Sequence, residues 1–328
     1  VTANKPLLAS NGEEVMAAAE AHGVDILFEA SVGGGIPIIG PLKHSLTSNE
    51  IQTVMGIVNG TTNYMLTRMA EDGLDYDTAL AEAQAKGFAE ADPTADVDGL
   101  DAAAKIAILS SIAFNSRVGM WQVPAEGIRS LSPDDISYAA EMGYQIKLLA
   151  IGRRTEGGID VRVHPTMIRS THPLASVNGV YNAIYVVGDS VGETMFFGEG
   201  AGSLPAASAV VGDLIEVARR LQSGCAPIVG CTCTETLRVR DISELVSEYY
   251  VRLAVTDRPG VLASVATIFG DHAVSIGSVI QKRSEDGVAQ IVCVTHAALE
   301  SDMQSALAEI EALDVVSSVA AVIRVEDL

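Results

Sequence analysis

An aspartate and a lysine one helical turn apart, Asp101 and Lys105, are the residues of this chain best suited by type and spacing to move a proton. They close the stretch 88–105, FAEADPTADVDGLDAAAK, which holds five Asp or Glu ahead of the lysine. From Leu100 the letters turn helical: LDAAAKIAILSSIAF is Ala-rich and carries an apolar stripe, so the acid lies N-terminal to the base on one face. An ammonium held beside fixed carboxylates near a helix start can bind a polar substrate and exchange a proton with it. Spacing alone equally describes a solvated ion pair, which is the commoner occurrence.

The elements that must position this pair can be read on either side of it. Asn11 opens a helix over 13–22, with Glu13 and Glu14 in its first turn and Gly23 as its stop, and a strand follows over 25–30. This rhythm is that of the last portion of a doubly wound nucleotide-binding domain. The GxGxxG phosphate loop that opens such a domain is not among these letters, so roughly 70–100 residues are expected to precede Val1. A strand over 51–58 leads into the Asn59-Gly60 turn, where Thr61 or Thr62 caps a helix over 62–72, and a further helix spans 77–86. Ser132, Pro133, Asp134 and Asp135 form a helix start. Strands near 145–153, 159–169, 181–187 and 191–198 make a sheet of a kind that often carries a dimer contact, and a Gly-rich loop from Gly198 opens a long helix to about Gln222. Residues 223–247 read as a linker. Beyond it, strand, helix, strand, strand, helix, strand complete the ferredoxin-like order βαββαβ, with DRPG turning from first strand to helix.

Composition bounds the function. The chain has 328 residues, 48% of them hydrophobic, enough for two or three domains with cores. No apolar run reaches the roughly 20 residues of a membrane span. A net charge of -21 argues against nucleic acid, since there is no basic stripe to displace counterions. The acid is concentrated in 71–101, ten Asp or Glu with Lys86 as the one base, and would draw an ammonium-bearing substrate. The four cysteines, Cys225, Cys231, Cys233 and Cys293, read as reduced thiols of a cytoplasmic protein, and Cys231-Thr232-Cys233 is not a zinc spacing. The six histidines fall singly and take no role.

The stretch 92–105 has the form DPxxDVxGxDxxxK, carried by Asp92, Pro93, Asp96, Val97, Gly99, Asp101 and Lys105, and it resembles the signature of homoserine dehydrogenase. Three other segments resemble the same family in the same order: VTANKPLLA at 1–9, FEASVGGGIPII at 28–39 and GIVNGTTNYMLTRM at 56–69. The resemblance covers about the first 245 residues. Residues 248–328, with the DRPGVL turn, resemble an ACT domain, a small amino-acid-sensing module. The resulting expectation is an α/β protein: a tail of a Rossmann-type domain (1–48), an α+β catalytic and dimerisation domain (49–222, with 198–222 returning to the nucleotide domain), a linker (223–247) and a ferredoxin-like ACT domain (248–328).

The resemblance implies reversible hydride transfer between NADP or NAD and L-homoserine, giving L-aspartate 4-semialdehyde. It implies Lys105 as acid/base, Glu90 and Asp101 on the substrate, Lys5 between cofactor and substrate, and Gly87 and Gly202 where backbone approaches the cofactor. Asp96 is expected to shape the loop. Glu29, Val32, Gly34 and Ile36 match a loop that binds a monovalent cation such as Na+, structural in role because hydride transfer needs no Lewis acid. The family reading further implies threonine as feedback effector at the ACT domain, a homo-oligomer (dimer or tetramer), and poor activity for a chain without its phosphate loop. The alternative is a non-catalytic amino-acid sensor that has lost its cofactor domain.

Overall fold

The computed structural model describes residues 1–224, 230–283 and 288–326. Two compact units divide the chain. The first takes Val1–Arg129, Lys147–His164 and Pro173–Arg240, and the second takes Ser130–Ile146, Pro165–His172 and Asp241–Leu328. Compactness thus groups the residues otherwise than the functional division at 48, 222 and 247.

Helix α1 (Lys5–His22) starts earlier than the letters suggest. Asn4 caps it, its side chain accepting the Leu7 N–H, and Pro6 suits the first turn. Asn11 is not the opening cap but a kink inside the helix, at φ -122° and ψ 19°. The strand expected over 25–30 is not formed, and Glu29–Ser31 is a short 3-10 turn. A strand needs a partner row of backbone groups, and among the described residues this segment finds one such bond, from the Thr2 N–H to the Leu27 carbonyl at 3.0 Å.

Strand β1 (Ile51–Ile57) then feeds α2 (Gly60–Asp72). Neither Thr61 nor Thr62 caps that helix. Asn59 does, through Oδ1 accepting the Thr62 N–H at 2.9 Å. Next come α3 (Tyr76–Ala85), the single turn α4 (Thr94–Val97) and α5 (Leu100–Ala113), followed by α6 (Pro133–Glu141), β2 (Tyr144–Thr155), β3 (Gly158–Arg169), β4 (Tyr181–Gly188), β5 (Gly192–Glu199) and α7 (Ser203–Ser223). In the first unit the strands lie in the order β5-β4-β1-β2-β3, with β1 antiparallel to both β2 and β4. Helix α5 lies within this unit, and every residue from 101 to 113 is buried. A helix buried all round is a core helix rather than an amphipathic surface one, and it carries Lys105 inside with it.

The second unit adds β6 (Val246–Thr256), α8 (Val261–Asp271), β7 (Ile276–Arg283), β8 (Val288–Thr295), the short β9 (Ala298–Leu299), α9 (Glu300–Glu311) and β10 (Val316–Glu326). The sheet order β10-β6-β8-β7 with antiparallel neighbours is the expected βαββαβ module. Its core is apolar, with Val251, Leu253, Val265, Phe269, Ile291, Met303 and Ile310 among its members. Residues 225–229 of the expected linker, Cys225 among them, and the loop 284–287 lie outside the described residues.

Candidate active site

Lys105 is brought to its place by α5. Gly99 at φ 79° opens the helix, and Asp101 in the first turn puts a negative charge where the helix dipole favours one. One turn on, Lys105 is 8% exposed. Its Nζ donates to Asp101 Oδ2 at 2.6 Å and to the Val58 carbonyl, just past the end of β1, at 2.6 Å. Asp101 is 9% exposed and has a second cation: Lys5 Nζ, from the first turn of α1, lies 2.6 Å from Oδ1. Asn59 completes the ring. Its Nδ2 donates to Asp101 Oδ2 at 3.0 Å and to Asp96 Oδ1 at 2.7 Å, while its Oδ1 holds the start of α2.

The electrostatics follow from this crowding. Burial by itself would push the Asp101 carboxyl up, but Lys105 and Lys5 outweigh it and bring the group down to about 2. Burial holds Lys105 below the ordinary lysine range. Asp101 works against that fall, and the charge on Lys5 adds to it. Two lysines share one fixed carboxylate, so one of them is poised to give up its proton at lower pH than a free lysine would.

These groups line one cavity of about 550 Å³, whose wall also includes Ser31, Gly33, Gly34, Thr61, Gly87, Glu90, Asn182 and Gly200–Gly202. Expected residues Lys5, Gly34, Gly87, Glu90, Asp101, Lys105 and Gly202 all reach it. Gly87 stands at φ 75° and Gly202 at φ 120°, conformations that suit glycine. The Gly33–Gly34 turn presses on the Gly200 loop, where a Cβ on Gly34 would overlap the Gly200 carbonyl. These glycines leave bare backbone edges along the cavity wall.

Glu29 does different work. Its Oε1 accepts the N–H groups of Ile38 at 2.5 Å and Ile39 at 2.7 Å, its Oε2 accepts that of Gly40 at 2.8 Å, and its own N–H donates to Asp213 Oδ2 of α7 at 3.0 Å. Three of the roughly four acceptor positions of a carboxylate are thereby used. Val32 and Ile36 are buried, at 0% and 2% exposure. Gly33 and Gly34, both at positive φ, bend the loop beside Glu29, whose carboxylate keeps one acceptor position free of the three backbone N–H groups.

Sequence reasoning missed Asn59, Thr61 and Asn182 as cavity residues, and took Asp96 for loop shape alone. Asn59 was visible only as half of an Asn-Gly turn. Asn182 has no local signal, because it is a polar letter inside a strand. The thiols stay outside the chemistry: Cys231, Cys233 and Cys293 are free, and burial pushes Cys233 and Cys293 up to about 12, which keeps them protonated.

Fold and site together define an oxidoreductase carrying an ACT domain in its C-terminal part, the ACT model matching residues 249–315. The chain belongs to the homoserine dehydrogenase family of amino-acid biosynthesis, whose model matches residues 37–215. It is 50% identical over 334 aligned positions to the homoserine dehydrogenase of Synechocystis sp., covering 99% of this chain and 77% of that protein. The crystal structure of a homoserine dehydrogenase from Thiobacillus denitrificans superposes with a TM-score of 0.94 at 44% identity, covering 99% of this chain and 76% of that one. A hyperthermophilic archaeal homoserine dehydrogenase mutant, solved in complex with NADPH, superposes with a TM-score of 0.59 at 31% identity, over 67% of this chain and 64% of that one. The chain spans about three quarters of the length of the Synechocystis and Thiobacillus relatives, and the alignments carry no measure of its activity. Among the described residues no helix is long and apolar enough to cross a membrane.

Proposed function

We propose that this chain interconverts L-homoserine and L-aspartate 4-semialdehyde, with Lys105 as the proton-transferring group. The observation that carries the proposal is an ammonium buried in the cavity wall, fixed by two hydrogen bonds of 2.6 Å and held below the usual lysine range. When homoserine is oxidised, neutral Lys105 takes the hydroxyl proton as the C–H hydride leaves; in reverse, its ammonium protonates the new alkoxide oxygen. NAD or NADP supplies the hydride acceptor or donor. Lys5, Gly87 and Gly202 are assigned to its nicotinamide end, where the absence of Cβ atoms at both glycines allows close approach.

Glu90 and Asp101 receive the substrate ammonium. Glu90 makes no ion pair within the described residues, and Asp101 Oδ1 has an acceptor position beyond the one Lys5 uses. Asp96 adds a third negative charge to the same wall. Lys5 and Asn59 keep Asp101 from turning away. Glu29 with the carbonyls of Val32, Gly34 and Ile36 is assigned a structural monovalent cation, Na+ in the first instance, that stiffens the loop beside the cavity. The ACT domain is assigned an amino-acid effector, threonine, as feedback inhibitor of threonine and methionine biosynthesis. The functional protein is proposed to be a cytoplasmic homo-oligomer.

The test is the appearance of reduced nicotinamide with homoserine and with 4-hydroxybutyrate, which keeps the alcohol and lacks the ammonium. Turnover of homoserine and a loss of roughly 10²-fold or more in kcat/KM for the analogue are expected, since the carboxylates would be left without their partner. Absence of homoserine turnover with either dinucleotide would overturn the assignment.

A further inference from the structure

Cys231 and Cys233 stand in the first unit where α1 and α5 pack, and each touches one of those helices. The Cys231 N–H donates to Glu20 Oε1 of α1 at 2.9 Å, and the Cys233 thiol donates to the Ser111 carbonyl of α5 at 3.6 Å. Both thiols are partly exposed. Cys231 is the sulfur that a cation reaches: Arg117 Nη2 donates to it at 3.3 Å, and Arg117 makes no ion pair among the described residues. Lys43 brings a second positive charge, its Nζ 5.5 Å from the centre of the Phe28 ring. Burial lowers Lys43, and the two thiols are the leading influences against that fall. Cys231 lines an opening of about 310 Å³ with Lys43 and Glu20. Both thiols line another of about 420 Å³ with Arg117, Glu13, Glu20 and Glu235. Cys293 has none of these features, being sealed in the second unit at 0% exposure.

We propose that Cys231 and Cys233 are a dithiol oxidised by hydroperoxide, a modification site apart from the catalytic cavity, with Cys231 attacking and Cys233 resolving. The Cys231 thiolate attacks one oxygen of the hydroperoxide, the O–O bond breaks, and the other oxygen leaves and takes up a proton. Cys231 is then a sulfenic acid. The Cys233 sulfur attacks that sulfur, the hydroxyl leaves with the thiol proton as water, and an S–S bond forms. In sum the two thiols give up two electrons and two protons, and hydrogen peroxide is reduced to two waters. The neighbours set the order. Arg117 places positive charge beside the sulfur that must attack as a thiolate. Burial pushes Cys233 up to about 12, Arg117 works against the rise, and Cys231 adds to it, so Cys233 stays protonated until Cys231 has reacted. Two residues of chain span at most about 7 Å, which keeps the pair near the roughly 4.4–6.8 Å that a disulfide needs. Glu13, Glu20 and Glu235 repel an anionic disulfide such as that of glutathione, whereas hydrogen peroxide is small and neutral.

The test treats the wild-type chain with hydrogen peroxide, with and without the sulfenic-acid trap dimedone, and maps the thiols by mass spectrometry of non-reduced digests. The wild-type chain is expected to lose two hydrogens in a Cys231–Cys233 disulfide that dithiothreitol reverses. Cys233→Ser is expected to carry the dimedone adduct on Cys231, and in Cys231→Ser the reaction of Cys233 with peroxide should be slower by about 10-fold or more. Arg117→Met should slow formation of the disulfide several-fold, and glutathione disulfide should form it about 10-fold more slowly than peroxide at the same concentration. Circular dichroism checks that each variant is folded, and the wild-type map decides the bridge by itself should one not fold. Thiols that stay free under peroxide, a bridge from either thiol to Cys225 or Cys293, or a dimedone adduct on Cys233 in place of Cys231 would each overturn the site. An unchanged rate in Arg117→Met would overturn the activation of Cys231, and equal oxidation by glutathione disulfide would overturn the class of oxidant.

Discussion

At the scale of single residues, the site works by an imbalance of charge. Asp101 is shared between Lys105 and Lys5, and Asn59 steadies it through the oxygen facing Lys105. The sign of each neighbour's effect on Lys105 is therefore separable. Asp101 raises its pKa, so Asp101→Asn should move the alkaline-rising limb of the homoserine oxidation profile to lower pH. Lys5 lowers it, so Lys5→Met should move that limb to higher pH. Shifts in one common direction would contradict the arrangement. The Asp101–Lys105 pair was legible because helical periodicity fixes which residues share a face. Its burial was not legible, since nothing in LDAAAK distinguishes a solvated turn from one inside a core. Asn59 and Asn182 escaped for a related reason: the residues they share the cavity with lie on other strands and helices, and no local spacing encodes them.

At the scale of elements, two buried polar side chains tie the first unit together, and each has a measurable consequence. Asn59 caps α2 and also donates to Asp96 and Asp101, so Asn59→Ala should cost about 1 kcal/mol for the lost cap, and more for the carboxylate oxygens left short of a donor. Denaturant unfolding checks it, and an unchanged midpoint would contradict the capping role. Lys147 on β2 is 2% exposed, with Nζ donating to the Val177 carbonyl at 2.7 Å and Asn178 Oδ1 at 2.9 Å. Burial brings it down from 10.5 to about 8. The unfolded chain then binds more protons than the folded one between those values, so this residue's contribution to stability rises as pH climbs from about 8 to 10.5 and is lost as pH falls through about 8. Comparing unfolding of the wild-type chain and Lys147→Met across that range should show the wild-type chain gaining on the variant, by on the order of 3 kcal/mol at most. A constant difference would contradict it. Most elements were legible from caps and periodicity. The strand over 25–30 was not, because a strand exists only with a partner row, and the helix over 13–22 hid its true start behind the Asn11 kink.

At the scale of the whole molecule, the second unit has its own internal ties. Asp135, fully buried at 0% exposure, accepts from Arg252 Nε at 2.7 Å and from the Tyr250 hydroxyl at 3.0 Å. It therefore binds α6 to β6, although the sequence division places these elements in different domains. Glu300 plays the same part for α9, accepting from Arg324 at 2.7 Å and from the Tyr249 hydroxyl at 2.8 Å. Arg252→Leu would strand a buried carboxylate, so a loss of about 3–5 kcal/mol is expected, seen as a lower denaturant midpoint. An unchanged midpoint would mean that α6 is held by other contacts.

For the enzyme as a whole the most direct measurement is the homoserine-dependent rate of the Lys105→Met variant set beside its affinity for homoserine. Methionine keeps the length of the side chain and removes the group that carries the proton. If Lys105 moves the hydroxyl proton, kcat falls by roughly 10²–10⁴-fold while homoserine still binds within a few-fold of the wild-type chain. A variant that turns over at close to the wild-type rate would show that the proton leaves by another route, and Lys105 would then be only the buried partner of Asp101.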